Sequence, residues 1–566
     1  MSGNKDGIKK MDTAETNDEA RVRYWIIAFL LLNALKLTVF NYSMMSSRDA
    51  AGFIFKFTFY LLLGIIVYSL VLRCGKKKLL MTLYVIESSY IFALLSYYCY
   101  FHNFLHIMQA TVLFTESVDT LPHMTIPVDL RHLCILIDMI PFIYVHRHYE
   151  QARRTNSYIR PRLKYFALAL GILVVSSEGW HYTQNDSVVT MVQNYPKYET
   201  VFVERYGTFI SDIFNTVLNN GGRSYAKELD YGKAIESFAQ NTESPNIVAI
   251  QVESLDANIV NEKHDGKYIA PYLYSLTESA IYYRYAMSYH LAGGTSDCEF
   301  SIINSVEPLS VFPSMKLLHY SYPNSFVKVL ANSGYKTLAF HGNEGSFYNR
   351  TVAFKGMGFE HFYDIKAMGF KHEGWGAPDH EVFNYAANNL KDQSGPLFAY
   401  IITMSSHTPF TFTKEYYSTD SYNDVKDATV RNYFTSISYV DGSIKDFVKR
   451  IQSEHRNTYI LIWGDHTPDI KKDEYMQASY TAGDRYFEFV PLFIITPDNK
   501  QLPETKWAGS FLDIAPTILK AAGIEYDYKS DGIDLLDPPA SPTRIPLKEG
   551  IFDRAQLYKR VSETQK

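Results

Sequence analysis

Five long apolar runs within the first 182 residues constrain this chain more than any other feature. They cover about residues 24–45, 51–72, 79–101, 126–146 and 164–181. Each approaches the ~20 residues that an α-helix needs to cross a bilayer core. Five such segments in so short a stretch fit buried helices of a soluble protein poorly. The first run is too long for a cleavable signal peptide, and a second follows almost at once.

Positive charge orients these runs. Lys5, Lys9, Lys10, Arg21 and Arg23 precede the first. Arg73, Lys76, Lys77 and Lys78 fill the second connection, and Arg147, Arg153, Arg154, Arg160, Arg162 and Lys164 fill the fourth. The first connection offers only Arg48, and residues 102–128 hold no Lys or Arg. The alternation predicts a cytoplasmic N-terminus, five crossings and an outer location for everything after about residue 182. Lys36, Lys56, Glu87 and Asp138 fall within or near the runs. Charge there is costly, so these side chains are expected to face other helices, a polar cavity or the interface.

The formal net charge of −5 gives no global pull toward nucleic acid. Of four cysteines, Cys74, Cys99 and Cys134 lie in or beside apolar runs, which leaves Cys298 alone in the polar part. That part has no disulfide framework available to it. The boundaries read from the sequence are a five-helix transmembrane domain (1–182), a linker with amphipathic helices (183–244), an α/β domain (245–540) and a C-terminal tail (541–566). In the linker, "YGTFISDIFNTVL" (206–218) has apolar residues at helical spacing, as expected of a helix lying on the membrane or on the next domain.

From about residue 245, short β-rich runs alternate with helical ones. "NIVAIQVES" (246–254), "YKTLAFHGN" (335–343), "PLFAYIITMSSH" (396–407), "TYILIWGDH" (458–466) and "FVPLFIITP" (489–497) read as strands. Residues 323–333, 379–392, 425–453 and 510–522 read as helices. This order predicts an α/β fold with a mostly parallel, covered sheet. Ligands of such sheets collect beyond the carboxyl ends of the strands. Four of these strands end in Glu253, His341, His407 and the pair Asp465–His466. Carboxylate with imidazole suits Zn²⁺ or Mn²⁺.

Thr295, in "LAGGTSDCEF", reads in isolation as a helix cap, with Asp297 and Glu299 in the turns that follow. The four strand ends change its meaning. A metal ion beside the hydroxyl would lower its pKa and yield a nucleophile. A helix beginning there would aim backbone N–H groups at a bound phosphate, and the two preceding glycines would let backbone approach the ligand. Asp513, in "SFLDIAPTIL", and Asp379–His380 read as structural residues at helix starts.

"NIVAIQVESLD", "GGTSDCEF", "FHGNEGSFYNR", "SSHTPF", "WGDHTP" and "SFLDIAPTIL" occur in this order. The chain thereby resembles the lipoteichoic acid synthases over essentially its whole length. Those are membrane-anchored phosphoglycerol transferases of the alkaline phosphatase and sulfatase superfamily, with five spans before an extracellular α/β domain. The resemblance implies that Glu253, Thr295, Asp465 and His466 hold one metal ion, usually Mn²⁺, with Mg²⁺ or Zn²⁺ as alternatives. It makes Thr295 the nucleophile, and it gives His341, Tyr348, Arg350 and His407 to the phosphoglycerol group. The family has Trp where this chain has Tyr348.

The implied reaction moves glycerophosphate from phosphatidylglycerol through Thr295 to a glycolipid or a growing polyglycerolphosphate chain. The implied partners are these lipids and the cell membrane, and not nucleic acid. Arg350 offers a planar fork matched to phosphate. The competing readings are a phosphoethanolamine transferase, a phosphodiesterase or sulfatase, and an inactive envelope binding protein. A sulfatase nucleophile sits within Cys-x-Pro-x-Arg, whereas Cys298 is followed by "EFSI".

Overall fold

The computed structural model describes residues 5–44, 50–101, 128–156 and 160–183, most of 203–212, and 244–564 apart from short loop segments. The described residues divide into two compact units, one before residue 213 and one from residue 244 on.

The first unit contains α1 (Lys5–Ser43), α2 (Ala50–Arg73), α3 (Lys77–Phe101), α4 (Met139–Arg147), α5 (Tyr149–Thr155) and α6 (Leu163–Thr183). Four of these are long and apolar enough to cross a membrane: α1 over Asp18–Ser43, α2, α3 over Lys77–Cys99, and α6 over Leu163–His181. Phe29 packs among Tyr68, Tyr84 and Phe142, and the last two rings stack at 3.6 Å.

The fourth apolar run departs from the expected continuous helix. It forms a 3₁₀ segment, Leu130–Leu136, and then α4, with Asp138 at the break. The cause is a polar demand inside the helix bundle. The Asp138 carboxylate does not cap α4. Its Oδ2 instead lies 2.8 Å from Lys36 Nζ and accepts from Asn33 Nδ2 at 2.8 Å, while its Oδ1 accepts from the Tyr84 hydroxyl at 3.0 Å. Glu87 Oε1 meets Lys36 at 2.6 Å and Asn33 at 2.7 Å, and Oε2 accepts from the Tyr68 hydroxyl at 2.9 Å. All four carboxylate oxygens thus face a donor. Lys36 and Asp138 are fully buried, so the charged residues of these runs face other helices.

Residues 205–212 pack within this same unit rather than lying as a separate amphipathic element. Asn41 Nδ2 donates to the Tyr60 hydroxyl (2.9 Å), which donates to the Tyr206 carbonyl (3.1 Å). The Tyr90 hydroxyl donates to Asp212 Oδ2 at 2.6 Å, and Arg205 pairs with Glu178 at 3.2 Å. Gly207 has φ +86°, and a Cβ there would fall 2.0 Å from the Tyr60 hydroxyl oxygen. The remaining residues of the expected helix, 213–218, lie outside the described residues.

The second unit is built on a nine-stranded sheet. Its strands are β1 (Asn246–Val252), β2 (Ile281–Met287), β3 (Lys336–His341), β4 (His361–Tyr363), β5 (Leu397–Ile402), β6 (Thr458–Gly464), β7 (Ser479–Ala482), β8 (Arg485–Ile495) and β9 (Gly509–Ser510). The order is β9-β2-β8-β6-β1-β5-β3-β4, with β7 on β8. The run β6-β1-β5-β3-β4 is parallel, as expected. β8 runs antiparallel to both β6 and β2, so the sheet is mixed.

β1 alternates between two apolar layers. Ile247 and Ala249 join the layer of Phe300 and Ile303, and Val248, Ile250 and Val252 join that of Phe383 and Phe447. A strand buried on both faces reads as the near-continuous apolar run seen in the sequence. The covering helices are α7 (Pro271–Leu276), α8 (Thr295–Asn304), α9 (Phe326–Asn332), α10 (Arg350–Met357), α11 (Asp379–Lys391), α12 (Ala428–Glu454) and α13 (Ile514–Ala521).

The last residues form a hairpin, β10 (Arg544–Leu547) and β11 (Gly550–Asp553), and then α14 (Arg554–Thr564). They fold back on the core. Fully buried Arg554 meets both oxygens of Asp513 at 2.7 Å, and Asp513 also accepts from the Ser510 and Ile533 amides at 2.8 Å each. Asp513 is therefore the structural acid expected from its helix start.

Candidate active site

The parallel register brings the functional side chains to one edge. Val252 pairs with Gly464, and Ile402 pairs with both Gln251 and His341. Glu253, Thr403, Asp465 and His341 consequently emerge at the carboxyl ends of four adjacent strands.

Glu253 is 2% exposed. Its amide donates to Thr403 Oγ1 at 2.9 Å, and its Oε1 accepts from Ser254 Oγ at 3.0 Å. Asp465 Oδ1 accepts from the Ser254 and His466 amides at 2.8 and 2.7 Å. Its Oδ2 is buried and meets no donor among the described residues. His466 Nδ1 donates to the Thr467 carbonyl at 2.8 Å. That bond turns Nε2 toward Glu253 Oε1 (3.2 Å) and Asp465 Oδ2 (3.6 Å). One ligand atom from each of Glu253, Asp465 and His466 lies within 4.8 Å of the other two.

This donor set fits a divalent cation. Two carboxylates and an imidazole nitrogen are hard-to-borderline ligands, and a buried carboxylate oxygen without a donor is costly unless something positive meets it. Electrostatics agree. Burial alone would raise the Glu253 carboxyl, but the imidazoles of His466 and His407 hold it below the usual carboxylate range. Burial and then the charge of Glu253 push Asp465 well up. Burial disfavours charge on His466, yet Asp465 and Glu253 raise its pKa well above 6.5. A proton and a metal ion therefore compete for the same Nε2.

Thr295 is the first helical residue of α8, and the cap position belongs to Gly294, at φ +55° and ψ −136°. No side-chain hydrogen bond caps α8, and the preceding turn is held by other groups. Asp297 accepts from the Gly293 and Ser314 amides at 2.6 and 3.0 Å, and Ser296 Oγ donates to the Gly293 carbonyl at 2.7 Å. The Thr295 hydroxyl lies instead 3.4 Å from Glu253 Oε2. Glu253, Thr295, Asp465 and His466, far apart in sequence, thus meet.

The remaining expected residues gather beside them. His341 is 1% exposed, with Nδ1 3.2 Å from the Ile402 carbonyl. Burial, and then the charge of Arg350, lower its pKa well below 6.5, so the ring is neutral. His407 Nδ1 donates to the Thr408 carbonyl at 2.7 Å, and the ring packs on Trp375 at 4.6 Å. Tyr348 has φ +55°, and a Cβ on Gly294 would lie 3.0 Å from its hydroxyl. Arg350 is 2% exposed and sits 5.5 Å from the Tyr348 ring. Asp379 is structural, as expected: it accepts from the Met404 and Ser405 amides, and burial raises its pKa to about 7.

Four participants escaped sequence reasoning. Glu299 grips Arg350. Trp375 packs against His407. His290 stacks on His466 at 4.1 Å with its Nδ1 3.0 Å from Glu488 Oε2. Glu488 Oε1 accepts from the Thr467 amide and hydroxyl at 3.1 and 2.6 Å. His290, five residues before Thr295, had a local signal, and Glu299, four residues after it, was read only as a helix-start acid.

Residues 245–524 match the sulfatase family model. Over 512 residues the chain is 26% identical to lipoteichoic acid synthase 2 of Bacillus subtilis, covering 84% of this chain and 77% of that one. It is 27% identical to the lipoteichoic acid synthase of Staphylococcus saprophyticus, covering 63% of this chain and 59% of that one. Among solved structures, the integral membrane lipooligosaccharide phosphoethanolamine transferase A of Neisseria meningitidis superposes with a TM-score of 0.56 at 12% identity, over 89% of this chain and 96% of that one. That likeness shows a shared fold: apolar N-terminal helices followed by an α/β domain of sulfatase type. The second unit thus carries a domain of the alkaline phosphatase and sulfatase superfamily. Within that superfamily, the chain is a lipoteichoic acid synthase-like member.

Proposed function

We propose that this protein is a metal-dependent phosphoglycerol transferase that takes glycerophosphate from phosphatidylglycerol, holds it on Thr295, and passes it to a glycolipid or polyglycerolphosphate hydroxyl. The observation that carries the reading is the approach of the Thr295 hydroxyl to Glu253, 3.4 Å away, beside the Asp465–His466 pair. In this reading Glu253, Asp465, His466 and Thr295 hold one divalent ion, with Mn²⁺ as the first choice. Such an ion supplies Lewis-acid stabilisation and a deprotonated nucleophile at neutral pH.

The chain's own groups do the rest. Thr295 gives up its hydroxyl proton and attacks phosphorus, the bond to the diacylglycerol oxygen breaks, and diacylglycerol leaves once that oxygen has taken up a proton. An acceptor hydroxyl then attacks the phosphothreonine, loses its proton, and returns the Thr295 oxygen. The α8 N-terminus turns the positive end of its helix dipole toward the phosphate oxygens. Arg350 offers part of its guanidinium edge, and neutral His341 offers hydrogen bonding without added charge. His407, its Nδ1 committed to the Thr408 carbonyl, has Nε2 left to serve the substrate. Tyr348 and Trp375 form an aromatic wall.

The apolar helices keep the site at the source of an insoluble donor. We read the broken fourth run as a crossing too, which gives five crossings, a cytoplasmic N-terminus and an outer catalytic domain. The domain limits 1–182, 183–244, 245–540 and 541–566 remain our working division.

The test is incubation of the purified full-length protein with fluorescent phosphatidylglycerol, Mn²⁺ and a glycolipid. Diacylglycerol release with a lengthened glycolipid is the expected outcome. Release without acceptor extension would replace this reading with a phosphodiesterase, and reaction with phosphatidylethanolamine alone would replace it with a phosphoethanolamine transferase.

A further inference from the structure

We propose that Glu299 is a positioning residue that fixes the orientation of Arg350 toward the phosphoryl group carried by Thr295. Glu299 lies four residues after Thr295 on α8, hence one turn further on the same helical face. It is fully buried, as Arg350 is to 2%. Both carboxylate oxygens lie 3.0 Å from Arg350 Nε, and Oε1 lies 2.5 Å from Nη2.

A guanidinium has five N–H donors in a rigid plane. Glu299 takes the Nε/Nη2 edge, which turns the Nη1 edge the other way. Among the described residues Nη1 meets only the Phe347 carbonyl, at 3.5 Å. The plane is held from a second direction by the Tyr348 ring, 5.5 Å away. Arg350 itself opens α10 directly after two residues with positive φ, Tyr348 and Asn349 at 55° and 60°. A sharply turned backbone start, a carboxylate on one edge and a ring on the face leave the guanidinium one orientation.

The pairing also ties two distant elements together. Thr295 and Glu299 share α8, and Arg350 belongs to α10. A shift of α8 therefore moves the nucleophile and the phosphate-facing edge as one body. Glu299 makes no contact with the substrate in this scheme, since it works through Arg350. Its negative charge also offsets that of Arg350, so the guanidinium contributes direction more than net attraction.

The inference rests on the proposed phosphoryl chemistry of this site, but its test does not depend on which head group is transferred. The probes are Mn²⁺ and inorganic phosphate, each followed by thermal shift and calorimetry on the full-length protein in detergent. Glu299→Asp keeps the charge and withdraws the carboxylate by one methylene. Glu299→Gln keeps the shape and removes the charge. Both variants are expected to bind Mn²⁺ within threefold of the unmodified protein, because neither touches Glu253, Asp465 or His466. Phosphate affinity in the presence of Mn²⁺ is expected to fall at least tenfold, and turnover is expected to show a raised KM as well as a lowered kcat. Should Glu299→Gln fail to fold, Glu299→Asp decides the question. Phosphate affinity equal to that of the unmodified protein in a variant that still binds Mn²⁺ would overturn the inference. If phosphate binding falls as expected while phosphatidylglycerol is never a donor, the inference stands and the head-group assignment falls.

Discussion

In the first unit Lys36 lies between Glu87 and Asp138, and in the second His466 lies between Glu253 and Asp465. Each group is two acids around one base, all of them buried except the half-buried Glu87. They differ in how many carboxylate oxygens are satisfied. Asn33, Tyr68, Tyr84 and Lys36 between them meet all four oxygens of the first pair. In the second pair, Asp465 Oδ2 meets no donor among the described residues. The first group is closed, which suits a device that fixes how helices pack. The second is open toward a cation. Asp441 is an intermediate case: a buried acid with no ion pair among the described residues, whose two oxygens accept from the Leu273 and Tyr272 amides at 2.8 and 3.0 Å. Counting donors, rather than charges, separates structural acids from reactive ones.

The comparison can be broken at several points. The largest effect is expected at the open site. Thr295→Ala should lower transfer by about 1,000-fold or more with an unchanged melting profile, since the hydroxyl makes no cap. Equal loss of activity and of fold would put Thr295 among the structural residues. At the closed site, Lys36→Met strands the buried Asp138 carboxylate and the half-buried Glu87 carboxylate and should cost about 3 kcal/mol of stability in detergent. Replacing the acids as well, in Lys36→Met/Glu87→Gln/Asp138→Asn, should recover a large part of that loss. Unchanged stability in Lys36→Met would mean that the membrane triad is not a closed unit.

Asp441 sharpens the intermediate case. Burial raises its carboxyl to about 6, so the folded protein holds that proton more tightly than the unfolded chain does. Its contribution is fully present below about pH 4 and is lost as pH rises through about 6, a loss of about 3 kcal/mol. Asp441→Asn should flatten that part of the stability-versus-pH curve measured by thermal melting. The smallest effect is expected at Gly207, where alanine would have to adopt φ +86° and displace the Tyr60 hydroxyl. About 1–3 kcal/mol of lost stability is expected, read by the same melts.

Much of this was legible in the sequence. The strand runs at 246–254, 335–343, 396–407 and 458–466 were visible because central parallel strands are apolar on both faces, and their last polar residues marked the site. β2 was missed because "IYYRYAM" interleaves an arginine with tyrosines and has no turn signal on either side. The direction of β8 was not legible, because an apolar run carries no sign of its polarity in a sheet. The break in the fourth apolar run was hidden for a different reason. Hydropathy averages over Asp138, whereas its partners Asn33, Lys36 and Tyr84 come from helices more than fifty residues away. Glu299 was seen only as a helix-start acid, since the arginine it grips lies 51 positions further on.

Cys298 sits one turn into α8, fully buried, with its thiol donating to the Asp465 carbonyl at 3.2 Å. Burial, and next the charge of Asp465, hold it well above the usual thiol range. A sulfur so placed is inert to maleimide while the fold is closed and reactive once the α8–Asp465 contact parts. The protein thereby carries its own chemical clock for opening of the catalytic layer, readable by mass spectrometry at a single residue.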